Sequence, residues 1–479
     1  MALYIDNWWP GFIRFLKISL TTLVVSMFVF QFAFNGVPYL LNTKNLMAGA
    51  GFIVLIFQLI ARRGWGQAIQ MDLLVAFIAA CSVSLMSYIS MTINNTWDNT
   101  YLSYWSTFCL WMLSGYFAVN FIKLVHGYVS LILLVQYLAA VCVMQCVLAL
   151  LFDNVPALSD FFARFVFEVK WGQDSGRMYG LGCALDPAGV RFSGMLVLIS
   201  HYCIEASRKK QTKRLTVALF CFLFTILVGS MISRTTIVGT ALALVYWVIV
   251  DGKSILTRVR KLGRLWRILL IILCIIIPVM VFLYNTNEKM HDNLRFGFEG
   301  FFSIAEKGEW QTDSNDHLET MVHWPDNTHT WIIGDGYMVD PGAFDPFLQS
   351  IGYHGDVFYM STDIGYCRFI FYFGIIGLAV FMLYFLTLAI ICKKRYPKWG
   401  LAFFFVLGVN YIVWAKVATD VFAVFAIAMS VSAKENAERE ALDAIKREDI
   451  EEIENTDQRA LEGAARIIED EQREEEEEI

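Results

Sequence analysis

The sequence predicts an all-α polytopic membrane protein with about twelve transmembrane helices and a large extracytoplasmic loop between helices 9 and 10. Three observations lead there. Of the 479 residues, 57% are hydrophobic and only 17% are charged. Charge-free apolar runs of roughly 18 residues or more, long enough to cross a bilayer, recur along the chain. The basic residues fall in alternate connections between those runs, as they do in short cytoplasmic loops.

In chain order the runs are 17–34, 45–61, 73–93, 104–122, 128–152, 187–204, 215–232, 235–250, 267–284, 366–392, 398–414 and 417–432. The first is too long for a signal peptide and no A-x-A-like site follows it, so it reads as a span. Lys416 and Asp420 interrupt the last two. Alternate connections carry Arg62 and Arg63, Lys123, "RKKQTKR" (208–214), "KSILTRVRKLGRLWR" (253–267) and "KKRYPK" (393–398). This alternation puts both termini in the cytoplasm, which requires an even number of crossings.

Residues 1–432 therefore form a membrane domain, and 433–479 form an acidic cytoplasmic tail, helical or disordered, with nineteen acids against seven bases. Two longer connections lie on the outer side, 153–186 and 285–365. The second holds five of the seven histidines and fourteen acids against three bases. Its turn signals at Pro325, Gly334, Asp340 and Asp345 predict a compact cap, and Trp310, Trp324 and Trp331 argue for order.

The ten cysteines are scattered and read as small apolar residues. His317, His323 and His329 are spaced too irregularly for one helix face, and HExxH is absent, so no metal or other cofactor is expected. A loop histidine can be a simple hydrogen-bonding residue or a general base. Charges at the edge of a span are costly and point to function. Arg234 sits in "GSMISRTTIVG", a turn so tight that its side chain lies at the membrane surface or between helices. Arg177 and Arg191 flank "MYGLGCALDPAG", where Asp186 suits a helix N-cap and Pro187 the first turn. Asp363 and Arg368 stand at the mouth of the tenth run, as a functional pair or as a cap and a snorkelling base. Arginine grips phosphate oxygens with a planar fork and keeps its charge in a low-dielectric setting.

These features resemble the bacterial O-antigen polymerase and O-antigen ligase superfamily. The resemblance rests on "SRTT" (233–236), the Arg177-x-x-Gly…Asp-Pro segment, "WIIGDGY" (331–337) and "DIGYCRFIFYFGIIG" (363–377). Asp363-Ile364 stands where the family often shows His-Asn, with Gly374 and Gly377 in register. It covers about the second two-thirds of the span region, and polymerases match more closely than ligases.

The resemblance implies a metal-independent, glycosyltransferase-type polymerase in the bacterial inner membrane. It would join undecaprenyl-diphosphate-linked oligosaccharides on the outer face. Arg177, Arg191, Arg234 and Arg368 would hold diphosphate or glycan, and His329 or Asp363 would act as base. Membrane lipids and a chain-length regulator protein are the other expected partners; nucleic acid is not. An O-antigen ligase, a lipid-linked oligosaccharide flippase and a non-catalytic assembly component are the competing readings.

Overall fold

The computed structural model describes residues 9–62, 70–257, 264–341, 358–442, 444 and 445. Arg63, the middle of the 253–267 basic loop, the Asp345 turn, His354 and the tail beyond 445 lie outside the described residues. The described chain is helical. In order it forms α1 (Trp9–Val29), α2 (Thr43–Arg62), α3 (Met71–Asn94), α4 (Tyr104–His126) and α5 (Leu131–Asn154). The short α6 (Pro156–Ala163) and α7 (Phe167–Asp174) follow, then α8 (Leu185–Arg208), α9 (Thr212–Ile232), α10 (Thr236–Thr257) and α11 (Arg264–Thr286). Four short helices come next: α12 (Glu288–Gly297), α13 (Glu299–Lys307), α14 (Asp313–Thr320) and α15 (Thr328–Ile333). The set ends with α16 (Gly365–Arg395), α17 (Gly400–Val413) and α18 (Phe422–Ser430). A separate compact unit begins at Val431, and residues 433–442 in it are helical.

Eight of these helices are long and apolar enough to cross a membrane: α1 to α5, α9, α11 and α16. The protein is thus an all-α, multi-pass membrane protein. The final apolar run is shortened to a helix of nine residues, because 414–421 form an irregular segment instead. Asp420 accepts the Phe422 N–H at 2.9 Å, so a charge expected inside a span starts the helix after it.

Burial separates the helices by role. In α5, 61% of the spanning window is buried, against 6% in α11, which faces outward along nearly its whole length. The central pillar is α8, buried at every position from Ala188 to Ile204 except Arg191. Small residues let its neighbours approach closely, as membrane helices require. A Cβ added at Gly239 of α10 would lie 2.2 Å from the Ser193 Cα.

Two sides of the bundle can be told apart. On one, Arg395 at the end of α16 donates from Nε to Asp72 Oδ2 at 2.5 Å and from Nη2 to Asp72 Oδ1 at 2.8 Å. It also reaches the Met429 carbonyl, so α3, α16 and α18 are latched there. The other side carries both long connections, α6–α7 and α12–α15, and is called the loop side below. On it Glu168 of α7 accepts the Ala33 N–H at 2.7 Å. Burial pushes that carboxyl up to about 7, the hydrogen bond opposing the shift.

The loop side is locked by a break in α16. At 31 residues α16 is longer than a straight crossing needs, and its backbone leaves helical geometry at Phe373 and Gly374. The carbonyls freed there are taken up by the end of α15. Asp335 N–H donates to Phe371 O at 2.6 Å and Gly336 N–H to Tyr372 O at 3.1 Å. Ser90 Oγ of α3 adds a bond to Tyr372 O at 2.7 Å. The Tyr372 hydroxyl donates to Asp98 O at 2.8 Å, and the Asp98 carboxylate accepts the Met338 and Val339 N–H groups at 2.6 and 3.1 Å. The segment "WIIGDGY" is therefore a plug in a broken helix.

Gly374 has φ +67° and ψ −177°, a region open to glycine alone. A Cβ there would lie 2.1 Å from Ile332 O, in the plug itself. Gly374→Ala is expected to cost about 1–3 kcal/mol or more, read as a lower unfolding midpoint of the purified protein. Gly49→Ala, where nothing lies within 4 Å of the new Cβ, is expected to leave it unchanged.

Candidate functional site

The turn between α9 and α10 explains why Arg234 projects. Its three small polar neighbours are all bonded inward: Ser233 Oγ donates to Asp186 Oδ1 at 3.5 Å, Thr235 Oγ1 to Asp186 Oδ1 at 2.6 Å, and Thr236 Oγ1 to Gly229 O at 3.0 Å, while Ser193 Oγ of α8 donates to Thr235 O at 2.9 Å. The Ser233 N–H closes onto Gly229 O at 2.8 Å. Arg234 alone is left to reach outward, and it meets α12 and α13. Its guanidinium lies 4.2 Å from the centre of the Phe296 ring and forms an ion pair with Glu299. Burial lowers its pKa from the ordinary guanidinium value, against the pull of Glu299 and with the push of Arg177. Arg177 lies over the same Phe296 ring at 5.1 Å. Two cations on one aromatic ring is an arrangement that favours an added anion. The adjoining pocket, about 310 Å³, is lined by Arg234, Arg295, Glu299, Phe302, Glu306 and Asp313 among others.

A second charged group continues from there along α8. Asp186 Oδ1 accepts from Lys416 Nζ at 3.2 Å as well as from Thr235, and it feels the charge of Arg177. The sequence suggested Asp186 as an N-cap; the cap position is Ala184 and makes no side-chain bond. The carboxylate of Asp186 is occupied by Lys416 and Thr235 instead. One and a half turns on, Arg191 lies 6.0 Å from both the Phe30 and Trp111 ring centres. Lys44 lies 5.2 Å from the same Trp111 ring. Asp420 is within electrostatic reach of Arg191 and Lys44. The charges are therefore matched in order: α8 offers acid then base, and the 414–421 segment offers base then acid.

A third group stands at the start of α16. The Arg368 guanidinium lies 3.6 Å over the Phe358 ring, within electrostatic reach of Tyr101, Asp363 and Asp98. Asp363 is half-buried and does not cap α16, whose N-cap residue is Ile364. Among the described residues no salt bridge joins Asp363, which precedes the helix, to Arg368 within it.

Of the six residues singled out from sequence, Arg177 and Arg234 meet at one ring. Arg191 belongs to the adjoining group, and Arg368 and Asp363 form the third. His329 is exposed on α15, and among the described residues no hydrogen bond or ion pair links it to any of the four arginines. Its neighbours Thr330 and Asp335 are bonded to one another at 2.5 Å as part of the plug. Among the described residues, no three His, Cys, Asp or Glu side chains gather as a metal site.

Sequence reasoning missed Lys44, Glu299, Lys416 and Asp420 as members of the charged groups. Lys416 and Asp420 did give a signal, being charges set between apolar runs. Glu299 gave none, as one acid of fourteen in its connection. Compared with known proteins, the chain matches no family model, no curated protein and no solved structure.

Asp186 and Lys416 are each about one-quarter to one-third exposed, so their coupling is screened only in part. A double-mutant cycle with Asp186→Asn and Lys416→Met is expected to give a coupling of about 1 kcal/mol in unfolding measurements. Strictly additive effects would remove the pair.

Proposed function

We propose that the protein is a polysaccharide polymerase of the O-antigen or capsule type, joining oligosaccharide repeat units carried on undecaprenyl diphosphate. In this reading it crosses the bacterial inner membrane twelve times, α8, α10 and α17 adding to the eight long apolar helices and the irregular 414–421 segment completing the last crossing together with α18. Both termini lie in the cytoplasm and the loop side faces outward. The observation that carries the reading is the convergence of Arg177 and Arg234 on the Phe296 ring, beside a polar pocket at the edge of the spans. The donor's leaving group is a diphosphate, and preorganised cations at its position lower the barrier to its departure. Glu299 neutralises Arg234 in the structure, so the diphosphate takes its place there.

In this reading the reaction is a glycosyl transfer on the outer face. A hydroxyl of the acceptor unit attacks the anomeric carbon of the donor glycan. The carbon–oxygen bond to the diphosphate breaks, and its electron pair leaves with the lipid diphosphate. The hydroxyl proton passes to a base, which in this reading is Asp363, half-buried beside Arg368. His329, exposed and outside all three charged groups, serves the acceptor at the rim. A positioned base contributes about 10²–10⁴-fold, and the cations carry the rest. No cofactor enters the scheme.

Cells lacking the protein are expected to accumulate lipid carrying single repeat units, read by mass analysis of lipid-linked glycans. Long chains left on the lipid would instead identify a ligase, and repeats trapped on the cytoplasmic face a flippase. Arg234→Ala is expected to abolish chain extension while the protein still accumulates. Arg234→Lys is expected to recover little, since a point charge does not replace a planar fork. Normal-length polymer from the Lys variant would remove the diphosphate clamp.

A further inference from the structure

We infer that the cleft between α9 and α11 holds the apolar chain of the lipid donor, entering sideways from the bilayer with its diphosphate turned toward Arg234. The inference rests on the donor reading above. The cleft measures about 600 Å³ and is lined by Leu223 and Leu227 of α9, Leu273 and Ile277 of α11, and Phe298 and Phe301 at its roof.

Three observations select the occupant. First, the cleft and the arginine pocket adjoin: the Phe302 side chain lines both. Second, the boundary between them runs along α13. Phe301 and Ala305 face the cleft, Glu299, Ser303 and Glu306 face the pocket with Arg234, and Phe302 stands between the two. An amphipathic helix of this kind lies at the depth where apolar chain gives way to headgroup. Third, α11, with 6% of its span buried, is the wall that faces the bilayer. A chain can therefore pass beside it without leaving the apolar phase.

The size decides between a single chain and a phospholipid. A cleft of about 600 Å³ fits a ligand of roughly drug size, so it encloses one chain segment next to the headgroup and leaves the remainder in the membrane. A phospholipid brings two chains and most often a single charge. A polyprenyl diphosphate brings one chain and a more highly charged head, matching one cleft and the two arginines on the Phe296 ring.

The test uses the full chain in lipid nanodiscs and a polyprenyl diphosphate with a photoreactive group near its first isoprene units. Peptides of α9 and α11 are expected to carry the label, and excess unlabelled polyprenyl diphosphate to suppress it, with phosphatidylglycerol without effect. Leu227→Trp, which fills the cleft, is expected to remove most of that label. Ile277→Trp, at a position already 56% exposed and so tolerant of bulk, is expected to do the same. Label on other helices that the unlabelled compound suppresses would overturn the cleft while leaving the donor reading intact. Equal suppression by phosphatidylglycerol would make the cleft a phospholipid site and overturn the inference. Absence of any suppressible label in the wild-type chain would overturn the donor reading itself.

Discussion

A helix broken inside a membrane leaves carbonyls that water does not reach, and each unsatisfied group costs several kcal/mol. In α16 the break at Phe373 and Gly374 is made good by the backbone of a distant segment, Asp335 and Gly336. Much of the loop side depends on that exchange. It fixes α15 against α16, and through Tyr372 and Asp98 it ties the α3–α4 connection to both. Tyr101, held at this junction by its N–H to the Tyr372 hydroxyl at 3.3 Å, then faces Arg368. A connection of some eighty residues is thus anchored at its middle by main-chain hydrogen bonds.

Charge is handled on the loop side by pairing in order. Asp186 with Lys416, Arg191 with Asp420 and Arg234 with Glu299 place opposite signs across facing segments. The pairing also decides where an anionic ligand can bind. Lys416 is engaged by Asp186 and bonded to Thr235 at 3.3 Å, and Arg191 faces Asp420. Arg234 shares its ring with a second cation, Arg177, and the acid that neutralises it is a single side chain on a short amphipathic helix. In the proposed reading, that is the point at which the donor diphosphate enters.

The helices were legible because apolar runs in a bilayer have few alternatives to helix. Arg234 was legible for a local reason: two adjacent spans leave its turn no room. The bonding of Ser193, Thr235 and Thr236 that aims it was not, since it depends on α8 lying beneath the turn. Likewise "WIIGDGY" stood out as a motif, but its role requires Gly374, some forty residues away, and nothing local reports such a contact. Asp186 misled because its position just before Pro187 looks like a cap, while Lys416, far along the chain, competes for its carboxylate. His329 was ambiguous for a related reason. Which way a side chain faces on a six-residue helix depends on how the whole plug is seated.

The most direct measurement of whether the long connection is a structural member is amide hydrogen exchange across residues 321–341 in the membrane-embedded protein. With the plug seated in α16, the Asp335, Gly336, Met338 and Val339 amides should exchange as slowly as those of α16, while the exposed 322–324 stretch exchanges fast. Fast exchange at Asp335 and Gly336, matching 322–324, would contradict the plug and leave the break in α16 without the partner on which the loop side depends.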